Sequence, residues 1–162
     1  MAVGDVDLVV DIHVRGWRHA YHGHLPEEVL DNLDRRHRTE GWTQRVRQPG
    51  PGRAWVAEVD GTVAGFAYTG PGRDADLPDD AGEVYALYLE PGVIGTGVGR
   101  ALFGHAVADL DDRGFRPIVV WVHRENERAR RFYEKAGFRL DGGEKIEDYE
   151  GAPMPEVRYR LV

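Results

Sequence analysis

Residues 89–102 read Leu-Glu-Pro-Gly-Val-Ile-Gly-Thr-Gly-Val-Gly-Arg-Ala-Leu, which sets Gly95, Gly97 and Gly99 between a strand-like run and a helix-like one. Glycine permits a sharp turn and lets a ligand approach the backbone amides closely. At a helix start the first N–H groups lack intrahelical partners, and the helix dipole adds about half a positive charge. A bend of this kind holds phosphate. A tight turn without a ligand is the plain alternative; three alternating glycines at a helix start favour the anion. The type of phosphate ligand is narrowed by what the segment lacks. A P-loop closes on Gly-Lys-Ser/Thr, whereas Gly99 is followed by Arg100. The dinucleotide fingerprint G-x-G-x-x-G is replaced by G-x-G-x-G, and the acid that would serve it, Glu125, lies farther on than the usual ~20 residues. A dinucleotide oxidoreductase is therefore only a runner-up.

Absent residue types narrow the chemistry further. The 162 residues contain no cysteine and no serine. Disulfides, thiolate zinc sites, iron–sulfur clusters and cysteine or serine nucleophiles are excluded. Group transfer is then expected to pass directly from donor to acceptor. His13, His19, His22 and His24 share no regular pattern with a carboxylate, so no metal is expected. A net charge of −7 argues against nucleic acid as a partner, since neutralising phosphates takes a basic surface. The apolar runs are too short to span a bilayer, and the acidic start lacks the basic and apolar regions of a signal peptide. The expectation is a soluble, cytoplasmic protein with no membrane partner.

The elements that must position the glycine bend follow from periodicity. Hydrophobic residues make up 41% of the chain, enough for one core, and residues 1–162 read as a single domain. Residues 5–21 are helical in pattern, with Leu8, Ile12, Trp17, Ala20 and Tyr21 three and four apart. Pro26 opens a second helix carrying Val29, Leu30 and Leu33, and a polar, arginine-rich stretch continues to about Gln48. Residues 54–59 and 63–68 flank Asp60-Gly61 as a β-hairpin, residues 70–82 form a surface excursion, and residues 83–89 read as a third strand. The helix after the glycines keeps Val98, Leu102, Ala106 and Leu110 on one face and ends at Gly114. Residues 118–122 form a continuous apolar run, as in a strand covered on both faces. Residues 126–136 form a helix stopped by Gly137, and residues 138–141 and 157–161 read as strands about a Gly142-Gly143 turn. The fold class is mixed α/β (α+β) around one sheet.

Two of these motifs together resemble the GCN5-related N-acetyltransferase (GNAT) family. The family's acetyl-CoA motif runs Gln/Arg-x-x-Gly-x-Gly/Ala into a helix; Gly97 and Gly99 fill its small positions, and Ile94 stands where Arg or Gln is usual. The second motif, Asn-x-x-Ala-x-x-x-Tyr-x-x-x-Gly-Phe, is complete in Asn126, Ala129, Tyr133, Gly137 and Phe138. The resemblance covers residues 5–161. It implies a central, mostly antiparallel sheet with splayed middle strands and flanking helices. The family's N-terminal edge strand has no counterpart before the first helix, so either it is missing or the start lies upstream.

The resemblance also implies roles. Acetyl-CoA, the co-substrate, would wedge between residues 83–89 and 118–122. The Leu87 N–H would polarise the thioester carbonyl, Leu89 would pair with the pantetheine arm, and the amides of Gly95, Thr96, Gly97, Val98, Gly99 and Arg100 would hold the pyrophosphate. Asn126 would bond the cofactor arm, or cap its helix. Tyr133 would protonate the departing thiolate, and Glu83 would supply the base, with His123, Tyr149 and Glu156 in reserve. Trp17, Tyr21, His22 and Trp42 are available to line an acceptor pocket. The expected function is acetyl transfer to a primary amine of a small molecule. The alternatives are a protein N-terminus or lysine as acceptor, and a non-catalytic acyl-CoA-binding module; a homodimer is left open.

Overall fold

The helical periodicity after Asp5 resolves into α1 (Val6–Tyr21) in a computed structural model that describes residues 1–48, 50–149 and 151–161. Its buried face is Val6, Val9, Val10, Ile12, Gly16, Trp17 and Tyr21. Leu8, expected on that face, is instead 42% exposed, because the adjacent valines already fill the position against the sheet. α2 (Glu27–Asp31) is short and starts after Pro26. The arginine-rich stretch forms a helix, α3 (Arg35–Arg47), begun by Asp34, whose carboxylate accepts the His37 N–H at 2.9 Å. Among the described residues a single 3-10 turn, Val3–Asp5, precedes α1.

The hairpin β1 (Arg53–Val59) and β2 (Thr62–Pro71) turns at Asp60 and Gly61, both with positive φ. β3 (Gly82–Leu89) follows the excursion; then come α4 (Val98–Asp112), β4 (Ile118–His123), α5 (Glu127–Lys135), β5 (Phe138–Tyr149) and β6 (Ala152–Leu161). The closing strands are longer than the sequence pattern suggests, and Gly142-Gly143 is not their turn. The pairing of β5 with β6 shifts between Leu140 and Glu144 and resumes as far as Tyr149↔Ala152. A side chain at Gly143 would meet Arg158, with Cβ 2.8 Å from its Nε, so Gly143 makes room for an arginine inside the sheet, while Gly142 takes a positive φ.

The six strands order as β1-β2-β3-β4-β6-β5, antiparallel except for β3 and β4. This is the mixed α/β fold with a mostly antiparallel sheet. The parallel pair is short, running from Gly82↔Ile118 to Val84↔Val120. Beyond it β3 stays with β2 (Ala67↔Leu87, Gly65↔Leu89), while β4 follows β6 (Trp121↔Arg158, His123↔Glu156). A bulge marks the parting: Tyr68 pairs with Ala86 and Thr69 with Val84, so Tyr85 is the extra residue. Bulges bend and over-twist the strand that carries them, which turns the end of β3 away from β4. On one face of the sheet Phe103, Leu110, Tyr133 and Phe138 pack on Val84, Val120 and Val122. On the other, Val9, Val10, Ile12 and Trp42 pack on Phe66.

Candidate active site

The parting of β3 and β4 opens a cavity of about 550 Å³. At one end lie Leu89, Ile94 and Gly99, and at the other Glu83, Lys145, Tyr149 and Glu156; Leu87, Val122 and Tyr133 line it between.

The first end is built from backbone. Gly95 and Gly97 take φ of 91° and 100°, and Gly97 is the residue that starts α4. A β-carbon at Gly99 would come within 2.7 Å of Leu89 Cδ1, so glycine lets the helix start abut the strand end. The first N–H of α4 to find a carbonyl is that of Ala101, on Gly97 at 3.0 Å. Among the described residues the N–H groups of Gly97, Val98, Gly99 and Arg100 have no acceptor. Thr96 differs: its N–H and hydroxyl both reach the Val93 carbonyl, at 3.3 and 2.7 Å. The expected row of six amides is therefore a row with Thr96 engaged. The arrangement fits a diphosphate, since the unmet donors and the positive end of a helix converge there.

Asn126 lines the same cavity and also caps α5, its Oδ1 accepting the Ala129 N–H at 3.0 Å. Seven residues on, Tyr133 is buried against Phe103, Phe132 and Phe138, at centroid distances of 5.4 to 6.4 Å. Its hydroxyl has no hydrogen-bond partner among the described residues. Burial, with Tyr88 and Glu156 nearby, pushes the phenol well above its ordinary pKa, so it stays protonated.

The second end is built from side chains. Glu156 is only 5% exposed; it accepts the Tyr149 hydroxyl at 2.9 Å, and Lys145 Nζ stands 3.5 Å away. Burial raises its pKa above the usual carboxylate value, against the pull of Tyr149 and Lys145. His123, across the ladder, is buried with Nδ1 unpartnered, and burial together with His24 lowers its pKa, leaving a neutral imidazole. Tyr21 lines the cavity and is pushed up by burial. Trp17 stands behind it, its ring meeting Tyr21 at 5.2 Å and Tyr149 at 4.9 Å, and does not reach the cavity.

The structure therefore separates residues that the sequence groups. His22 is exposed at the end of α1 and lies outside the cavity lining. Trp42 packs on Phe66 and Tyr68 across the sheet, at 5.2 and 5.4 Å. Glu83 lines the cavity and is 1% exposed. Arg73 forks onto it, with the guanidinium Nε at 3.1 Å and the backbone N–H at 3.2 Å from Oε2, and a further contact to Oε1. Arg73, Lys145 and Glu147 are cavity residues with no motif to announce them; strand register alone brings the latter two in. Among the described residues no group of three or more His, Cys, Asp or Glu side chains is placed to hold a metal, and no helix is long and apolar enough to cross a membrane.

A parallel strand pair that splays beside a glycine-built helix start defines the acetyl-CoA-dependent acyltransferases of the GNAT type. Residues 10–138 match the Acetyltransferase (GNAT) family, and the chain belongs to it. It is 33% identical over 123 residues to the uncharacterized N-acetyltransferase YuaI of Bacillus subtilis, covering 75% of this chain and 68% of that protein. The probable N-acetyltransferase Rv2775 of Mycobacterium tuberculosis is 30% identical over 165 residues, covering 97% and 88%. Other mycobacterial relatives match over 53% of their own length. In fold the chain is similar to PaiA N-acetyltransferase from Thermoplasma acidophilum, solved in complex with coenzyme A, with TM-score 0.76, 22% identity, and 99% and 96% of the two chains covered.

Proposed function

We propose that the protein transfers the acetyl group of acetyl-CoA directly to the primary amine of a small molecule. One observation carries this reading: a single cavity joins the unmet amides at the start of α4 to the buried carboxylate of Glu156, with the Tyr133 phenol between them. The amides of Gly97, Val98, Gly99 and Arg100 bind the diphosphate, with Gly95 and Thr96 shaping the bend. The β3 backbone at Leu89 takes the pantetheine arm, beside Asn126, and the Leu87 N–H steadies the negative charge on the carbonyl oxygen. Such a fixed donor contributes ~3 kcal/mol.

An alkylammonium with pKa ~10.4 must lose a proton before it attacks. Glu156, whose affinity for a proton burial raises, accepts it; Glu83 is held as the ion-pair partner of the Arg73 guanidinium. The nitrogen then bonds to the acetyl carbon and the carbon–sulfur bond breaks. An unperturbed phenol near pKa ~10 is already a weaker acid than a thiol near ~8.5, and burial weakens it further. Tyr133 therefore assists the departing thiolate chiefly as a hydrogen-bond donor.

An aromatic and aliphatic wall at the acceptor end supports a small acceptor. Trp17 and Tyr21 of α1 and Leu30 of α2 pack with Ala152 and Met154 of β6 into one cluster beside it. Thiol release measured over a panel of small amines and peptides tests the reading. Turnover with small amines alone is expected. Turnover confined to peptides overturns the choice of acceptor, and CoA binding without turnover on any amine overturns the transferase.

A further inference from the structure

The chain has nineteen arginines and two lysines, Lys135 and Lys145. Lys135 is exposed in the last turn of α5, outside the cavity. Lys145 lines the cavity, and its ammonium occupies a seat with three walls. Glu147 stands 3.0 Å from Nζ and Glu156 3.5 Å, and the ring of Trp121 lies beneath it, 4.5 Å from Nζ to the centroid. Two carboxylates and an aromatic face are what a primary ammonium requires of a binding site. The carboxylate at its side, Glu156, is also the proton acceptor proposed for the acceptor amine.

We propose that Lys145 is a self-acetylation site, its side chain serving as acceptor when no external amine is present. The inference rests on the transferase reading above. Lys145 Nζ gives a proton to Glu156, and its lone pair bonds to the acetyl carbon of acetyl-CoA. The carbon–sulfur bond breaks, the nitrogen gives up its second proton and the CoA thiolate takes one up, so the products are acetyl-lysine, free CoA and, from Glu156, one proton released to solvent. Acetylation removes the positive charge between Glu147 and Glu156 and places an amide in the cavity, so the modified enzyme has its acceptor seat filled. An external amine that occupies the seat first protects Lys145.

Incubation of the whole protein with isotopically labelled acetyl-CoA, without an acceptor, followed by peptide mass spectrometry, tests this. Because the reaction is intramolecular, label at Lys145 should exceed label at Lys135 by at least ~10-fold, and it should fall when a turned-over amine is added. Lys145→Arg should keep its CoA-induced rise in melting temperature and lose most of the label that the parent protein takes up in total. Equal labelling of the two lysines indicates chemical acetylation from solution and overturns the proposal. An unlabelled Lys145 in an enzyme that acetylates an added amine overturns it too, while leaving the transferase reading intact. Absence of both labelling and amine turnover brings down the transferase reading, and this proposal with it.

Discussion

The two ends of the cavity are made of different material. The donor end is main chain: glycine φ angles, unmet N–H groups and the free side of β3. The acceptor end is side chain, brought from α1, the β2–β3 excursion, β4, β5 and β6 by strand register and helix packing. Backbone recognises a group that every turnover presents in the same form, and it tolerates exchange of most side chains. An end made of side chains such as Glu156, Tyr149, Lys145 and Trp121 changes with each substitution. In the proposed function the donor end sets the class of reaction, and the acceptor end sets which amine enters.

That division can be broken by kinetics. Glu156→Gln should cut kcat by ~10³-fold while leaving CoA affinity within a factor of about two, and should erase the acid limb of the pH–rate profile. The sign follows from the raised pKa: the carboxylate form is the base, so the rate is lost as pH falls through a value above the ordinary 4.5. A Glu156→Gln enzyme with normal turnover would move the base elsewhere in the cavity. Tyr133→Phe should lower kcat by ~10²-fold, as loss of a hydrogen-bond donor to the departing thiolate, again without weakening CoA. Gly97→Val should do the reverse. A branched side chain at a φ of 100° costs on the order of 1–3 kcal/mol, so the KM for acetyl-CoA should rise by about tenfold or more at nearly constant kcat. A fall in kcat alone would erase the distinction between the ends.

The smallest effect concerns the support behind the acceptor end. His13 packs on Phe66 and Tyr88, and burial, aided by Arg38 and Arg45, lowers its pKa from 6.5 to about 3. The folded state therefore resists a proton that the unfolded chain accepts. Stability is full above pH ~6.5 and declines below it by at most ~1.4 kcal/mol per pH unit. Thermal melts of His13→Phe should show a shallower loss between neutral pH and pH 4 than the parent protein. Identical slopes would place the titrating group elsewhere.

Legibility in sequence follows the same division. The donor end and α5 are contiguous motifs, so Gly95–Gly99 spacing and the Asn126-to-Phe138 pattern expose them directly. The hairpin at Asp60-Gly61 is equally plain, because Asp-Gly favours the tight turn in which both residues take positive φ. α3 hides in the sequence: Trp42 is its sole fully buried residue, so it carries no apolar stripe, and Asp34 at its start was the available signal. The β5–β6 hairpin misleads because Gly142-Gly143 resembles a turn, whereas Gly143 accommodates Arg158, which bonds Asp74, Asp76 and Asp141 at 2.6 to 3.0 Å. Lys145 enters the cavity only once that strand runs on past the glycines. The burial of Glu83 likewise depends on Arg73 returning from the excursion, a contact across ten residues that no local pattern encodes.

A crystal structure of the protein with CoA is the decisive experiment. The diphosphate is expected within hydrogen-bond reach of the N–H groups of Val98, Gly99 and Arg100, the arm between β3 and β4, and the sulfur beside the Tyr133 hydroxyl. CoA bound elsewhere, or a cleft that stays closed at saturating CoA, would contradict that placement.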